Sequence, residues 1–381
     1  MKTILICVLF KPYTLKSIIN TFTKFGYKVE KRDYFTPKDM YHDEKLEKML
    51  QDDIKTGDYD FVFTINYSPI VSVVCCKNNL KYVCWTYDTP MNLISPETMD
   101  NPNNSIFIFD NGEYQKYKKL GLDTVYYLPL ASGFGEYAGR KTEYVYDVAL
   151  LGNLYRSTFS AIKEKLDKYH TGFLDGIITA QRGLYGCYMI LDLLKEQDAE
   201  VKAINEMTGF NLMPEQLSYS MASYITYLDR LSLLSIMSNR FSTALATGSL
   251  EMEERNLMPK LKVLPGMDYY TEMPVFFRKT KINLNPPFRA VWSAIPQRAL
   301  DIMSSGGFLL SGYTEELGYF FENGKEMVMY DSIEDAVEKA GFYLKNDDLR
   351  EEIRKNGAEK VNRDFSYDER IQEILEVVGA M

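Results

Sequence analysis

The chain has 381 residues, 46% apolar, 25% charged and 14% aromatic, which excludes disordered, collagen-like and low-complexity classes. At roughly 150 residues per domain, that length favours two domains. Forty-four basic against 53 acidic residues give a net charge of −9, which disfavours nucleic acid and anionic lipid as partners. Only two histidines occur, His42 and His170, so a histidine-built metal cage is nearly excluded and a catalytic base is expected to be a carboxylate.

The opening apolar run ends at Lys11-Pro12 without a small-residue cleavage site, so it reads as a buried first strand rather than a secretion signal. Strands are predicted at 3–10, 27–34, 59–66, 81–88, 106–111 and 124–130, and helices at 15–25, 43–55, 69–79 and 113–120. Short apolar runs alternating with helical spacing are the pattern of a parallel, doubly wound sheet. The stretch 131–143 loses periodicity and carries Gly133, Gly135 and Gly139, as an interdomain linker does. Gly133-Phe-Gly135 follows a strand, but no helical pattern follows it, so a dinucleotide loop is rejected there.

A second α/β unit opens with a strand at 146–153 that ends in Gly152-Asn153 and is followed by an amphipathic helix at about 155–169. A helical block at about 172–240 comes next. Strands resume at 241–247, 261–264, 281–284, 308–311 and 326–330, and helices close the chain at 333–345, 348–363 and 368–378. The expected division is 1–133, a linker at 134–143, a second domain at 144–366, and a final helix at 367–381 that packs back on the first domain. Two such domains facing across a cleft would bring strand carboxyl ends and helix N-termini to a ligand. Cys7, Cys75, Cys76, Cys84 and Cys187 are odd in number and form no C-x-x-C pair, so reduced, buried thiols and a cytoplasmic location are expected. No apolar stretch approaches the ~18 residues of a membrane span.

The chemistry concentrates between Lys281 and Ser311. A buried strand delivers Asn283 and Asn285, a loop carries Arg289 and Ser293, and a helix begins near Pro296, where free N–H groups favour an anion. Arg298 and Asp301 lie three apart on one helix face, so a guanidinium for a diphosphate and a carboxylate for vicinal hydroxyls would project together. The plainer reading is a solvated Arg–Asp pair. Gly306-Gly307 ends the helix. In the first domain, Asp88, in Tyr87-Asp-Thr-Pro90 at a strand end, is the candidate general base, and Asp110 is its rival. Asp88 could instead cap the turn before Pro90, and a configuration-retaining enzyme would need no such base.

The run from Asp268-Tyr-Tyr-Thr-Glu-Met-Pro through Ile295-Pro-Gln-Arg298, Asp301-Ile-Met, Gly306-Gly307-Phe-Leu and Phe320-Phe-Glu-Asn-Gly-Lys-Glu to Tyr367-Asp-Glu-Arg370 resembles the spore-maturation (CgeB-type) family of GT-B glycosyltransferases. Trp85-Thr-Tyr-Asp-Thr-Pro90, Tyr127-Leu-Pro-Leu130, Asp147-Val-Ala-Leu-Leu-Gly-Asn-Leu-Tyr155 and Asp229-Arg-Leu-Ser-Leu-Leu234 fit the family's N-terminal domain and junction. The resemblance implies a GT-B fold, two Rossmann-like domains with a helical block in the second. The C-terminal domain would bind a nucleotide-diphosphate sugar, of the UDP type, and the N-terminal domain would present an unidentified acceptor.

It places Asp301, where the family more often has Glu, on the ribose hydroxyls, and makes Gly152-Asn153 the loop that lets the diphosphate approach the backbone. Arg156, Arg289 and Arg298 are the arginines expected to draw the anionic donor in. No metal and no cofactor are expected. The competing readings are a non-catalytic binding or coat-assembly protein of the same fold, and a sugar-nucleotide epimerase, which the scarcity of histidine disfavours.

Overall fold

The computed structural model describes residues 2–379, so the expectations for residues 1, 380 and 381 lie outside the described residues. The chain forms two compact units, Met1–Gly133 with Asp364–Met381, and Phe134–Arg363.

The first unit is built on β1 (Thr3–Val8), β2 (Lys28–Asp33), β3 (Phe61–Ile65), β4 (Lys81–Trp85), β5 (Asn104–Ile108) and β6 (Val125–Tyr127). They form one parallel sheet in the order β2-β1-β3-β4-β5-β6. Every residue of β3, Phe-Val-Phe-Thr-Ile, is buried, as expected of a central parallel strand covered on both faces. At the edge, β2 reads Lys-Val-Glu-Lys-Arg-Asp and is largely exposed, and its charges discourage pairing with another chain.

The covering helices start where local chemistry starts them. Asp43 accepts the Leu46 N–H to open Glu44–Thr56, and Ser68 accepts that of Val71 before Pro69 in the first turn of Pro69–Lys77. In the former, Leu46, Leu50 and Ile54 recur every fourth residue and enter the core beside Leu5, Val62 and Ile106. Helix Tyr367–Val377, capped by Ser366, belongs to this unit. Tyr367 meets Trp85 edge-on at 6.3 Å, and Lys81 Nζ donates to the Val378 carbonyl at 2.6 Å.

The second unit carries β7 (Tyr146–Leu151), β8 (Thr243–Ala246), β9 (Lys262–Leu264), β10 (Thr280–Asn285), β11 (Leu309–Gly312) and β12 (Val328–Tyr330). This sheet is also parallel, in the order β12-β11-β10-β7-β8-β9. Strand order therefore reverses between β7 and β10, and at such a point open parallel sheets take their ligands in a crevice outside the carboxyl ends of the strands.

Between β7 and β8 the chain builds a helical block, Phe159–Lys163, Lys168–Arg182, Ile190–Glu196, Asp198–Thr208 and Pro214–Arg240. The block has its own core of Phe159, Leu174, Leu191, Leu217 and Ile225. The single helix expected at 155–169 is instead two, because Asp167 accepts the His170 N–H and starts a new helix. Residues 134–143, expected as a linker, include one helical turn, Gly135–Ala138, within the second unit.

All five cysteines are free. Cys7, Cys75 and Cys84 are buried, but Cys76 is half-buried and Cys187 exposed, which corrects the expectation of uniformly buried thiols. Cys187 lies outside any helix or strand. Among the described residues no helix is long and apolar enough to cross a membrane.

Candidate functional site

In the first unit β4 stops at Trp85, short of the expected 88. The chain turns through Tyr87-Asp88-Thr89 into a cis Thr89–Pro90 bond. Asn66, which follows β3 in a left-handed conformation at φ 62°, organises this turn. Its Oδ1 accepts from the Tyr87 and Asp88 N–H groups at 2.7 and 3.1 Å, and its Nδ2 donates to Asp88 Oδ2 at 2.5 Å. Asp88 is exposed, so the structure presents an oriented, solvent-accessible carboxylate at the carboxyl end of the sheet.

Asp110 is placed differently. It has no exposed surface and caps helix Asn111–Lys119 by accepting the Gly112 and Glu113 N–H groups. Thr89 Oγ1 donates within reach of both Asp110 Oδ2, at 3.3 Å, and Glu113 Oε2, at 2.9 Å, while the Met91 N–H donates to Glu113 Oε1 at 2.8 Å. Burial, reinforced by the Asp110 charge, pushes the Glu113 carboxyl up to about 7 against the hydrogen bonds from Met91 and Thr89. Glu113 escaped the sequence reading because a Glu in a first helical turn is ordinarily a solvated partner of the helix dipole.

In the second unit the carboxyl end of the sheet gathers Gly152, Asn153 and Arg156 after β7, Asn285 and Arg289 at and after β10, and Ser293 and Arg298 around the start of helix Gln297–Ser304. Gly152 has φ +150°, and a Cβ there would lie 3.4 Å from Arg230 Nη1. Tyr155 follows at φ 63°, uncommon for an aromatic residue. Its ring stacks on Phe288 at 4.9 Å and lies against the Arg230 guanidinium at 4.6 Å.

The three arginines expected to draw in an anion are not equivalent. Arg156 is forked onto buried Glu254, with Nε at 2.7 Å from Oε1, and also reaches Ser249 and Glu251. Arg289 is buried. Its Nη2 donates to the carbonyls of Gln181, Arg182 and Leu184 at 2.6, 3.0 and 3.0 Å, closing the C-terminus of helix Lys168–Arg182, and its Nε lies 3.5 Å from Asp229. Arg298 is a quarter exposed, with Nη1 3.7 Å from Asp301 Oδ2 and in contact with Met273 Sδ.

Asp301, expected on ribose hydroxyls, has no exposed surface. Tyr269 Oη donates to its Oδ1 at 3.1 Å and Gln297 Nε2 at 2.8 Å, so it faces inward onto its own unit. Asn285 Nδ2 donates to Ser311 Oγ across the sheet at 2.9 Å, and Ser293 Oγ donates to Glu316 Oε1 at 2.7 Å.

Gly306 and Gly307 precede β11 and lie at the opposite end of the sheet from this group. Gly306 has φ +79°, and a Cβ would fall 2.8 Å from the Ala138 Cα. Its carbonyl accepts from Arg278 and Arg354. These glycines let the helix return to the sheet, and the structure does not bring them to the loops after β7 and β10.

Sequence reading missed Arg230. Helix Pro214–Arg240 buries Thr226, Arg230, Leu233, Leu234 and Met237 on one stripe, and an arginine on a buried stripe is the signal that could have found it. Among the described residues no group of three His, Cys, Asp or Glu side chains could hold a metal ion.

Residues 247–376 match the family described as glycosyl transferase-like. Solved structures similar in fold include a glycosyltransferase from Rickettsia africae ESF-5, 10% identical, covering 99% of this chain and 97% of that one with a TM-score of 0.61. Sucrose-phosphate synthase from Thermosynechococcus elongatus is 9% identical, with 99% and 98% covered and a TM-score of 0.60. HepE of Anabaena in complex with UDP is 10% identical, with 100% of both chains covered and a TM-score of 0.56. No curated protein matches the sequence. The chain has the GT-B fold, and the similarity to the glycosyl transferase-like family lies within the second unit and the final helix.

Proposed function

We propose that this protein is a cytoplasmic glycosyltransferase of the spore-maturation type. It would transfer a sugar from a nucleotide-diphosphate sugar, of the UDP type, to an acceptor hydroxyl without a metal ion. The observation that carries the donor half of this reading is the crevice outside β7 and β10, where Gly152 at φ +150° brings bare backbone to the switch point of a 3-2-1-4-5-6 sheet. HepE, alike in fold, is known with UDP and with UDP-glucose, which supports the choice of UDP. Five free cysteines support a reducing compartment.

In this reading the backbone at Gly152 and Asn153 receives the diphosphate, and Arg298 neutralises charge on it. Asp301, being enclosed, acts as a positioning residue that holds Arg298 rather than as the ribose contact. The first unit takes the acceptor, with Asp88 as general base. The acceptor oxygen attacks the anomeric carbon while Asp88 removes its proton, and the bond from that carbon to the diphosphate oxygen breaks with the electron pair leaving on the nucleotide. Asn66 donates to Asp88 Oδ2 and so orients the carboxylate for that step.

The test is donor turnover. The protein is incubated with UDP-, GDP- and ADP-sugars and the released nucleotide is measured, beside the melting shift each donor produces. Release from a UDP-sugar is expected. Neither release nor a shift with any donor would favour the non-catalytic binding protein.

A further inference from the structure

We propose that Arg230, reaching up from the helical block, binds a phosphate oxygen of the donor at the switch point between β7 and β10; this rests on the donor-site reading above. Arg230 is 8% exposed and forms no ion pair among the described residues. Its Nη1 donates to the Asn153 carbonyl, just past β7, at 2.5 Å, and its Nη2 to the Pro286 carbonyl, just past β10, at 2.7 Å. The guanidinium thus bridges the two loops where strand order reverses, the place at which open parallel sheets take their ligands. Two of its five N–H donors are used there, and Nε has no partner in the protein.

A cation withdrawn from water is costly unless an anion compensates it. Two other buried arginines of this unit have one: Arg289 faces Asp229 and Arg350 pairs with Asp347 at 2.6 Å. Arg278 has no ion pair among the described residues and donates to the Gly306 and Arg140 carbonyls, away from the switch point. Burial disfavours the Arg230 charge and the Arg298 guanidinium adds to this, while the Tyr155 ring covers one face of the group at 4.6 Å. A buried guanidinium with spare donors and no carboxylate partner is an arrangement that an anionic ligand completes. Gly152 lies beside the group: a Cβ there would sit 3.4 Å from Nη1, in ordinary van der Waals contact. Helix Pro214–Arg240 would thereby connect the donor to the core of the helical block.

The test compares UDP with uridine, GDP with guanosine and ADP with adenosine by calorimetry and by melting shift, on the full chain and on its Arg230→Met and Arg230→Lys variants. For whichever nucleotide the unaltered protein binds, Arg230→Met should weaken the diphosphate by about ten- to 150-fold and leave the nucleoside unchanged. A melting shift read within each variant is independent of that variant's own stability. Unchanged diphosphate affinity, or equal loss for diphosphate and nucleoside, would overturn the assignment while the donor reading stands. If Arg230→Met does not fold, Arg230→Lys decides. It should bind the diphosphate about tenfold more weakly through loss of the forked geometry, and binding as tight as in the unaltered protein would refute the role. An unaltered protein that binds none of the three diphosphates overturns the donor reading, and this inference with it.

Discussion

Replacing Glu113 with glutamine should stabilise the first unit at alkaline pH and leave it nearly unchanged in mild acid. Glu113 is 1% exposed, and burial lifts its carboxyl from 4.5 to about 7. An acid whose folded pKa lies above its unfolded one favours the fold while protonated. That contribution is complete below about pH 4.5 and is lost as the pH rises through about 7. The rise is about 2.5 pH units, which at about 1.36 kcal/mol each is about 3 kcal/mol.

Glutamine preserves the geometry. Its Oε1 accepts the Met91 N–H, and its amide donates to Thr89 Oγ1, whose hydrogen turns to Asp110 Oδ2, 3.3 Å away. Trp85 is fully buried in this unit, so its fluorescence in a Trp292→Phe background reports urea unfolding of the first unit. The stability of Glu113→Gln relative to Glu113 should grow by about 2.5 kcal/mol between about pH 5 and pH 8. A difference that stays constant over that range would refute the buried-acid account.

Other expectations follow from the same contacts. Asp88→Asn should retain donor binding and lose at least about 100-fold in transfer rate, measured as released nucleotide in the presence of acceptor; normal turnover would remove Asp88 as the base. Gly306→Ala places a Cβ 2.8 Å from the Ala138 Cα at φ +79° and should cost about 1–3 kcal/mol in thermal unfolding without altering nucleotide affinity. Arg289→Ala removes a donor from three helix-end carbonyls and the facing positive charge from Asp229. It should lower stability by at least about 1.5–3 kcal/mol, and a selective loss of nucleotide binding instead would return Arg289 to the donor site. EDTA should leave transfer unaffected, and abolition restored by added Mg²⁺ would refute the metal-free mechanism.

The amino-acid sequence by itself determined the two parallel sheets. Strands such as Phe61–Ile65 and Leu309–Gly312, buried at every residue, carry mostly apolar side chains, and that run is visible without coordinates. Helix starts were legible where the signal is local, as at Asp43, Ser68 and Pro296. Where two helical signals adjoined, only the Asp167 cap inside the second decided between one helix and two.

The site was less legible because a charged residue's role depends on what folding places opposite it. Arg156, Arg289 and Arg298 read alike in sequence, yet the fold gives one a buried glutamate, one a helix terminus and one a partly open position. Asp301 read as a hydroxyl acceptor, and tertiary packing enclosed it between Tyr269, Gln297 and Arg298. Arg230 and Glu113 gained their character only when distant segments removed water from them. The periodicity of burial is written along the chain, whereas the partner of a buried charge is fixed by segments far apart in it, and only the tertiary structure brings those together.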